Sequence, residues 1–431
     1  MADVRPFRGL IFNTEIVGEL ADVICPPYDV ISPEMQKDLY YRSPFNIVRI
    51  EEGEILPSDS SANNRYTRAA ETLHQWMNTG ALVRDETPAY YLVQHGFPFG
   101  GTTKLRLALI ADVRLEEYEK GVVLPHEHTQ RAAKEDRLAL MEACQANISQ
   151  IMLLYRDREG KLARLFQQTT SEVPIFSFSD SEENTFALWR ITNPEKMQLI
   201  SDVMSSKVLY IADGHHRYET ALTYRDRQSP HRGNEDDEAH NFLMTYLVEL
   251  DNPGLVVLPY HRVVGGLDSE RMSQLHQRID HLFTKETPIA DPASHLDQFL
   301  QEIESRGKEA RVLGFVQARD EGASLLTLRP ELEQRERGPI ASFEAWILEE
   351  MVLKPVLGGS LDEHVTWVHD AREAVDHLRD GHHQAAFLLK ALPMDLFETI
   401  VSRGERLPRK STFFHPKLPT GLTINLLKGR I

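Results

Sequence analysis

The sequence has little cysteine, lacks a long apolar run and carries no excess of basic charge. Its 431 residues include only two cysteines, Cys25 and Cys144. They provide no disulfide framework, and the absence of a Cys-x-x-Cys pair favours a reducing, intracellular setting. The sequence contains no run of about 18 apolar residues that could cross a membrane, and its first residues contain no signal-peptide core. We therefore expect a cytoplasmic protein with no membrane partner.

The charge balance excludes a further class of partner. The chain carries 48 Lys and Arg residues against 65 Asp and Glu residues, which gives a formal net charge of -17. Binding of nucleic acid depends on a basic surface that releases counterions, so we expect no nucleic-acid partner. A small anionic ligand needs only local positive groups and stays compatible with this charge. A chain of this length predicts two or three domains, and a homodimer is compatible with the sequence.

One stretch, Lys207–Arg225, stands out as a candidate functional motif. An apolar run at Val208–Ile211 predicts a strand, and helix-forming residues follow from Tyr218 onward. The junction between them contains Asp213, Gly214, His215, His216 and Arg217. The first turn of a helix offers unpaired backbone N–H groups and the positive end of the helix dipole, which suits a phosphate. The simpler interpretation is that the aspartate caps the helix, the glycine turns the chain and the histidines are solvated.

A second polar stretch precedes a predicted helix that begins near Thr129 and ends near Gln145. Because proline sets an extended approach, residues 126–128 come directly before that helix. They are His126, Glu127 and His128. A carboxylate here could accept a proton from a hydroxyl group while the other motif binds phosphate, which is the division of roles in phosphoryl transfer. The mixed charges of residues 131–137 are typical of a solvated helix face.

The same polar residues allow other interpretations. The histidines at 126, 128, 215 and 216 could instead bind a transition metal, although the sequence contains no His-Glu-x-x-His pattern. Mg²⁺ brought in with a nucleotide is the simpler metal hypothesis. A third interpretation is a regulator that senses a nucleotide without carrying out chemistry.

Three further segments carry predictions. The paired prolines of Pro26–Asp29 indicate a rigid loop, either purely structural or lining a site. Alternation in Phe45–Ile50 predicts a strand. Two strand–helix pairs, at residues 365–378 and 384–403, indicate a C-terminal α/β domain. The tail from Leu407 is expected to pack back on the active site and to bring positive charge to a cleft.

The motifs taken together resemble a known fold and family. The Asp-Gly-His-His-Arg turn after an apolar strand resembles the signature turn of the ParB/sulfiredoxin-like fold. The chain is similar to a widespread bacterial family that shares PPYDV, LPHEHT, IADGHHRYETA and a PRKST tail. Within the fold it resembles the ADP-dependent free L-serine kinases, which carry Pro-His-Glu, Asp-Gly-His-His-Arg and Pro-Lys-Thr-Thr in the same order. Sulfiredoxins have a catalytic cysteine where this chain has His215, so their reaction is not expected.

The resemblance implies a mixed α+β and α/β fold with a ParB/sulfiredoxin-like nucleotide-binding core. The expected domains are an N-terminal extension at residues 1–100, a catalytic core at residues 101–230 and a C-terminal α/β domain at residues 241–431. The implied activity is a nucleotide-dependent phosphotransferase acting on a small hydroxy amino acid, most simply L-serine or O-phospho-L-serine, in either direction. The alternatives are a nucleotide-binding regulator and a metal-dependent phosphohydrolase.

The resemblance also implies roles for individual residues. Glu127 would be the base, with His126 and His216 as further catalytic residues. The nucleotide, ADP or ATP with Mg²⁺, would be bound by Asp213, Gly214, His215, His216 and Arg217. The serine or phosphoserine substrate would be bound by His128, Lys410, Ser411 and Thr412.

Overall fold

A computed structural model of the chain describes residues 1–129, 131–232, 236–290, 294–318, 322–358, 361–379 and 381–431. The chain forms two compact units. Unit 1 contains Met1–Val256 and the C-terminal segment Pro416–Ile431, and unit 2 contains Val257–His415. Both units combine helices with β-sheets, so the predicted mixed α+β class is confirmed.

The strands are short to medium in length. In chain order they are β1 (Val4–Arg5), β2 (Leu10–Phe12), β3 (Leu82–Arg84), β4 (Tyr90–Phe99), β5 (Thr102–Arg114), β6 (Val123–Pro125), β7 (Ala146–Asn147), β8 (Ile151–Tyr155), β9 (Phe176–Ser179), β10 (Thr185–Ile191), β11 (Leu209–Asp213), β12 (Phe242–Glu249), β13 (Val256–Leu258), β14 (His261–Gly265), β15 (Phe283–Ala290), β16 (Val312–Gln317), β17 (Gly322–Leu328), β18 (Val365–Val368), β19 (His383–Leu388), β20 (Phe413–His415) and β21 (Asn425–Leu426).

The helices lie between these strands in the sequence, singly or in groups. They are α1 (Thr14–Val17), α2 (Leu20–Val23), α3 (Pro33–Arg42), α4 (Val48–Glu51), α5 (Arg65–Asn78), α6 (Arg131–Cys144), α7 (Lys161–Thr169), α8 (Pro194–Ser205), α9 (His215–Arg232), α10 (Ser269–Leu282), α11 (Leu296–Arg306), α12 (Glu344–Trp346), α13 (Lys354–Leu357), α14 (Ala371–Asp376) and α15 (Met394–Ser402), with a π-helical segment at Ile347–Leu353.

The main sheet of unit 1 has the strand order β6-β11-β8-β12-β5-β4-β10-β9, and β1 pairs with β5. Strand β8 and most of β12 are buried along their length, which explains their nearly continuous apolar sequences. Two neighbouring pairs are parallel, β6 with β11 and β8 with β12. Parallel strands end at the same edge of a sheet. The residues that follow β6 and β11 therefore leave the sheet side by side.

The predicted domain boundaries differ from the observed division. Residue 100 lies in the turn of the β4–β5 hairpin, which pairs from Tyr91↔Ile110 to Phe99↔Thr102. Residue 230 lies inside helix α9. Because an uninterrupted hairpin and a helix cross these positions, residues 1–100 and 101–230 belong to the same unit.

One predicted strand is a helix in the structure. The segment Phe45–Ile50 was expected to be extended, but α4 begins at Val48. Fully buried Asn46 donates two side-chain hydrogen bonds, to Asp22 O at 2.7 Å and to Ile24 O at 2.9 Å. Its side-chain oxygen accepts the backbone N–H of Val48 at 3.0 Å. This local bonding favours a turn and overrides the alternating pattern.

Unit 2 contains a sheet with the order β15-β17-β16-β19-β14-β18, in which neighbouring strands are antiparallel. The predicted strand–helix pairs are present as β18–α14 and β19–α15. Strand β14 lies between β18 and β19, so the strands of the two predicted strand–helix pairs are not neighbours in the sheet.

Within the described ranges, none of the helices is both long enough and apolar enough to span a lipid bilayer.

Candidate active site

The turn after β11 is built around a glycine. Gly214 has a φ of +94°, a conformation that side chains with a Cβ rarely adopt. A Cβ here would lie 2.5 Å from Ile151 Cγ2, so the close packing also requires glycine. Helix α9 begins at His215, three residues before the predicted start at Tyr218. The residues His215–Arg217 therefore form the first helical turn and cannot all face a ligand.

The two sequence motifs meet at this turn. The β6–β11 register pairs Pro125 with Ile211, so His126 and Glu127 leave the sheet beside the turn. The backbone N–H of His126 donates to His215 Nε2 at 3.2 Å, and His126 Nδ1 lies 2.6 Å from Ile211 O. The two imidazole rings are nearly perpendicular, at 82° and 4.5 Å between centroids. Both histidines are buried and hold the motifs together, and half-buried Glu127 follows directly.

This geometry removes His215 from the metal-binding interpretation. The lone pair of His215 Nε2 is already used as the acceptor for the backbone N–H of His126. His128, the remaining histidine of that motif, is exposed. Over the ranges that the structure describes, no cluster of three or more His, Cys, Asp or Glu residues is suitable for a metal ion.

His216 differs from its neighbour His215 because it is only half-buried. Burial lowers the pKa of His216 below its ordinary value, and the Glu219 and Glu127 carboxylates oppose that effect. The charges of Lys134 and Asp29 also act on it. The neutral form of the imidazole is therefore favoured at pH 7, and the charged groups that act on it come from three parts of the chain.

Asp213 and Arg217 support the turn from inside. Arg217 donates to Asp213 Oδ2 at 2.7 Å and to Gln150 O at 2.6 Å, and its side chain is only 8% exposed. Asp213 Oδ1 lies 3.0 Å from Lys417 Nζ. Burial by itself raises the pKa of Asp213, but the Lys417 and Arg217 cations outweigh it and hold the pKa well below its ordinary value. The carboxylate is therefore ionised, and the arginine is largely covered by its partners.

The sequence-based reasoning missed two contributors to this region. Lys417 forms ion pairs with Asp213 and with Asp29 of the paired-proline loop. Tyr28 of the same loop packs on the Arg137 guanidinium, 4.0 Å from its ring centroid. The sequence predicts both the positive tail and the rigid loop. However, neither contains a pattern that identifies which residue reaches the turn.

The charged face of helix α6 is only partly solvated. Residues 131–137 were expected to be solvated, and Arg131 is indeed 90% exposed. Arg137, however, is only 5% exposed and donates to Glu51 O and to Glu52 Oε2, each at 2.9 Å. Arg137 is charged and buried because it neutralises carboxylates that the chain brings in from a distant segment.

The tail residues predicted to bind substrate lie in unit 2. Lys410 is exposed and has a positive φ of 56°, which is unusual for a residue other than glycine. Ser411 and Thr412 are buried, and Ser411 Oγ donates to Pro408 O at 2.5 Å. The role of these three residues at the Glu127 site stays a prediction.

Solved structures similar to this chain share little sequence with it. A conserved hypothetical protein from Pyrococcus furiosus is 12% identical, with a TM-score of 0.34, covering 74% of this chain and 95% of its own. A free serine kinase in complex with AMP is 16% identical, with a TM-score of 0.34 and coverages of 73% and 92%. SbnI with a C-terminal truncation from Staphylococcus aureus is 13% identical, with a TM-score of 0.38 and coverages of 74% and 87%. Likeness at this level does not define the fold or the activity of this chain.

Comparison with protein families, unlike comparison with solved structures, assigns the chain to a family. No curated protein matches the chain. The model of one family, described as "Protein of unknown function (DUF1015)", matches residues 4–348. This match covers most of the sequence and includes both the Glu127 and the Asp213 motifs. The chain belongs to that family.

Proposed function

We propose that this protein is a nucleotide-dependent phosphotransferase that acts on a small hydroxy amino acid. L-serine and O-phospho-L-serine are the first candidates for the acceptor and its product, and the reaction can run in either direction. A cytoplasmic location and a substrate-binding role for His128 and Lys410–Thr412 are further parts of this proposal.

The observation that supports it is the meeting of the two motifs. The His126 backbone N–H donates to His215, Glu127 is the next residue in the chain, and its charge acts on the His216 imidazole of the turn. One motif supplies a half-buried carboxylate, and the other supplies a glycine turn followed by a helix N-terminus. Phosphoryl transfer requires a positioned base on one side and N–H groups that stabilise phosphate charge on the other.

In the proposed reaction Glu127 accepts the hydroxyl proton of the acceptor. The acceptor oxygen forms a bond to the terminal phosphorus while the bond from that phosphorus to the nucleotide oxygen breaks. The nucleotide leaves with the electron pair, and the proton remains on Glu127 until solvent removes it. In this proposal the backbone N–H groups after Gly214 and the neutral imidazole of His216 bind the phosphates.

The residues present do not fit a dedicated metal site. Asp29 and Asp213 are already paired with Lys417, and Asp213 also binds Arg217. Mg²⁺ in this proposal is bound by the phosphates of the nucleotide, where it would neutralise their charge. No step of the proposal uses a metal held by the protein.

The test is a phosphorus-NMR screen of ADP and ATP with serine, and of AMP and ADP with phosphoserine. We expect Glu127→Gln to lower turnover by about 10²–10⁴-fold, the usual contribution of a general base, with nucleotide affinity nearly unchanged. Glu135→Gln is the matched control, because this glutamate on the neighbouring helix is 64% exposed and pairs only with Arg131 among the described contacts.

Other outcomes identify the alternatives. Full activity in Glu127→Gln contradicts the assigned base. If the protein binds a nucleotide but phosphorylates none of the small hydroxyl compounds tested, it is a nucleotide-binding regulator. Release of phosphate that a chelator abolishes, without need of a nucleotide, identifies a metal-dependent phosphohydrolase.

A further inference from the structure

The C-terminal segment Pro416–Ile431 is bonded to several distant parts of unit 1. Fully buried Arg106 donates to Pro416 O at 2.6 Å, and Thr420 N donates to Cys25 O at 2.8 Å. Further along, the Asn425 amide bonds to both oxygens of Asp112 at 2.8 Å. The segment is therefore anchored on both sides of Lys417, and the lysine has little freedom to leave its place.

A ring of contacts joins this segment to the turn. Starting at Asp213, the carboxylate accepts from Arg217, and Arg217 donates to the backbone oxygen of Gln150. The Gln150 amide donates to Pro419 O at 3.1 Å. Lys417 lies two residues before that proline, and its Nζ is 3.0 Å from Asp213 Oδ1, which closes the ring. A change at one member of such a ring is transmitted to the others, because the groups share partners.

Lys417 also extends outside the ring. It forms an ion pair with Asp29, and its side chain is 15% exposed. Burial by itself lowers the pKa of Lys417, but the Asp213 and Asp29 carboxylates outweigh it and raise the pKa above its ordinary value. The ammonium group therefore stays charged at neutral pH and connects the N-terminal loop with the turn.

We propose that Lys417 is a positioning residue of the site, which holds Asp213 and Asp29 in place so that the C-terminal segment sets the geometry of the turn. The residue lies beyond the part of the chain that matches the family, residues 4–348. Its effect on turnover rests on the proposed function, whereas its effect on the loop and the turn does not. The two effects can therefore be measured separately.

The experiment compares three variants of the full chain. Lys417→Met removes the charge at similar volume, Lys417→Arg keeps it, and Lys428→Met changes an exposed lysine of the same segment. We expect Lys417→Met to increase hydrogen exchange by about tenfold or more in peptides covering residues 24–31 and 209–217, because local opening becomes less costly. Lys417→Arg should largely restore protection, and Lys428→Met should match the wild type.

Kinetics add a second readout. With serine or phosphoserine and nucleotide, Lys417→Met should lower kcat by about tenfold or more, with a smaller change in KM, because a displaced turn misplaces reacting groups. Rescue of kcat by Lys417→Arg supports positioning, since a merely structural loss would lower the melting temperature without this split.

The outcomes separate the two proposals. Unchanged exchange in both peptides of Lys417→Met overturns the inference. Increased exchange together with a wild type that transfers no phosphoryl group supports the inference and overturns the proposed function. If Lys417→Met does not fold, Asp29→Asn removes one arm of the bridge, and unchanged exchange of residues 24–31 in that variant overturns the inference.

Discussion

Two ion pairs, one in each unit, differ in how far solvent reaches their charged groups. In unit 2, Arg262 Nη2 lies 2.8 Å from Glu349 Oε1, and the two side chains are 0% and 6% exposed. In unit 1, Lys417 and Asp213 are 15% and 24% exposed, and Asp29, which also pairs with the lysine, is 40% exposed. The first pair is closed to solvent, and the second is partly open to it.

The difference indicates which pair a ligand can reach. A closed pair is desolvated and held by its own partners, so it contributes to the integrity of the fold. An open group of charges with a shifted carboxyl pKa, beside a turn and a helix N-terminus, is typical of a functional site. Breaking the first should therefore change stability, and changing the second should change binding and turnover.

The largest effect on stability is expected for the closed pair. Arg262→Met leaves the Glu349 carboxylate buried without its cation, which should reduce the free energy of unfolding by about 3–5 kcal/mol. Urea titration followed by tryptophan fluorescence can measure it, because Trp367 is the cross-strand neighbour of Arg262. The double variant Arg262→Met, Glu349→Leu should recover most of the loss. A single variant as stable as the wild type would remove the distinction between the two pairs.

A closed carboxyl group without a cation should make stability depend on pH. Burial raises the pKa of Asp112 from 3.8 to about 8, against the opposing hydrogen bond from Asn425. The stabilisation that the protonated Asp112 carboxyl group contributes is complete below pH 3.8 and is lost as the pH rises through about 8. Between pH 5 and 7 the wild type should lose about 1.4 kcal/mol per pH unit relative to Asp112→Asn.

Denaturation of both proteins at several pH values checks this prediction. Asp38→Asn, at an exposed position of the same unit, is the control and should show no such divergence from the wild type. Parallel pH profiles for the wild type and Asp112→Asn would show that Asp112 does not titrate in this range.

A smaller effect is expected at the open site itself. Gly214→Ala should destabilise the protein by about 1–3 kcal/mol, because it combines a positive φ with a Cβ placed against Ile151. Gly100→Ala is the control, since Gly100 also has a positive φ but has nothing within 4 Å of its Cβ position. Thermal unfolding should show the smaller loss at Gly100, and equal losses would mean that contact with Ile151 does not matter.

Much of the secondary structure could be predicted from local patterns. The helix predicted from near Thr129 to near Gln145 is α6 (Arg131–Cys144), and the strand predicted at residues 208–211 is β11 (Leu209–Asp213). The prediction failed at residues 45–50, where a buried side-chain amide replaces backbone pairing. Apolar periodicity reports which face is buried, but it does not reveal the partners of a polar side chain.

The candidate site shows the same limit. The motif pattern predicts that Glu127 faces the Asp213 turn, and in the structure both motifs follow parallel strands whose ends share one sheet edge. The shared role of the two motifs stays a prediction. The pattern does not indicate that His215 and Arg217 form hydrogen bonds within the protein. Which side of a helix faces a ligand depends on where the helix begins, and the pattern placed that start three residues too late.

The sequence by itself determined the mixed fold class, the strand–turn–helix at Gly214 and the two polar motifs, because these depend on residues close together in the chain. Only the tertiary structure decided that Lys417 lies at Asp213 and that Asp29 joins it. Those contacts connect segments about 200 and 390 residues apart. Such pairs form because burial of a charge is tolerated only with a partner, and no local pattern records which partner the fold supplies.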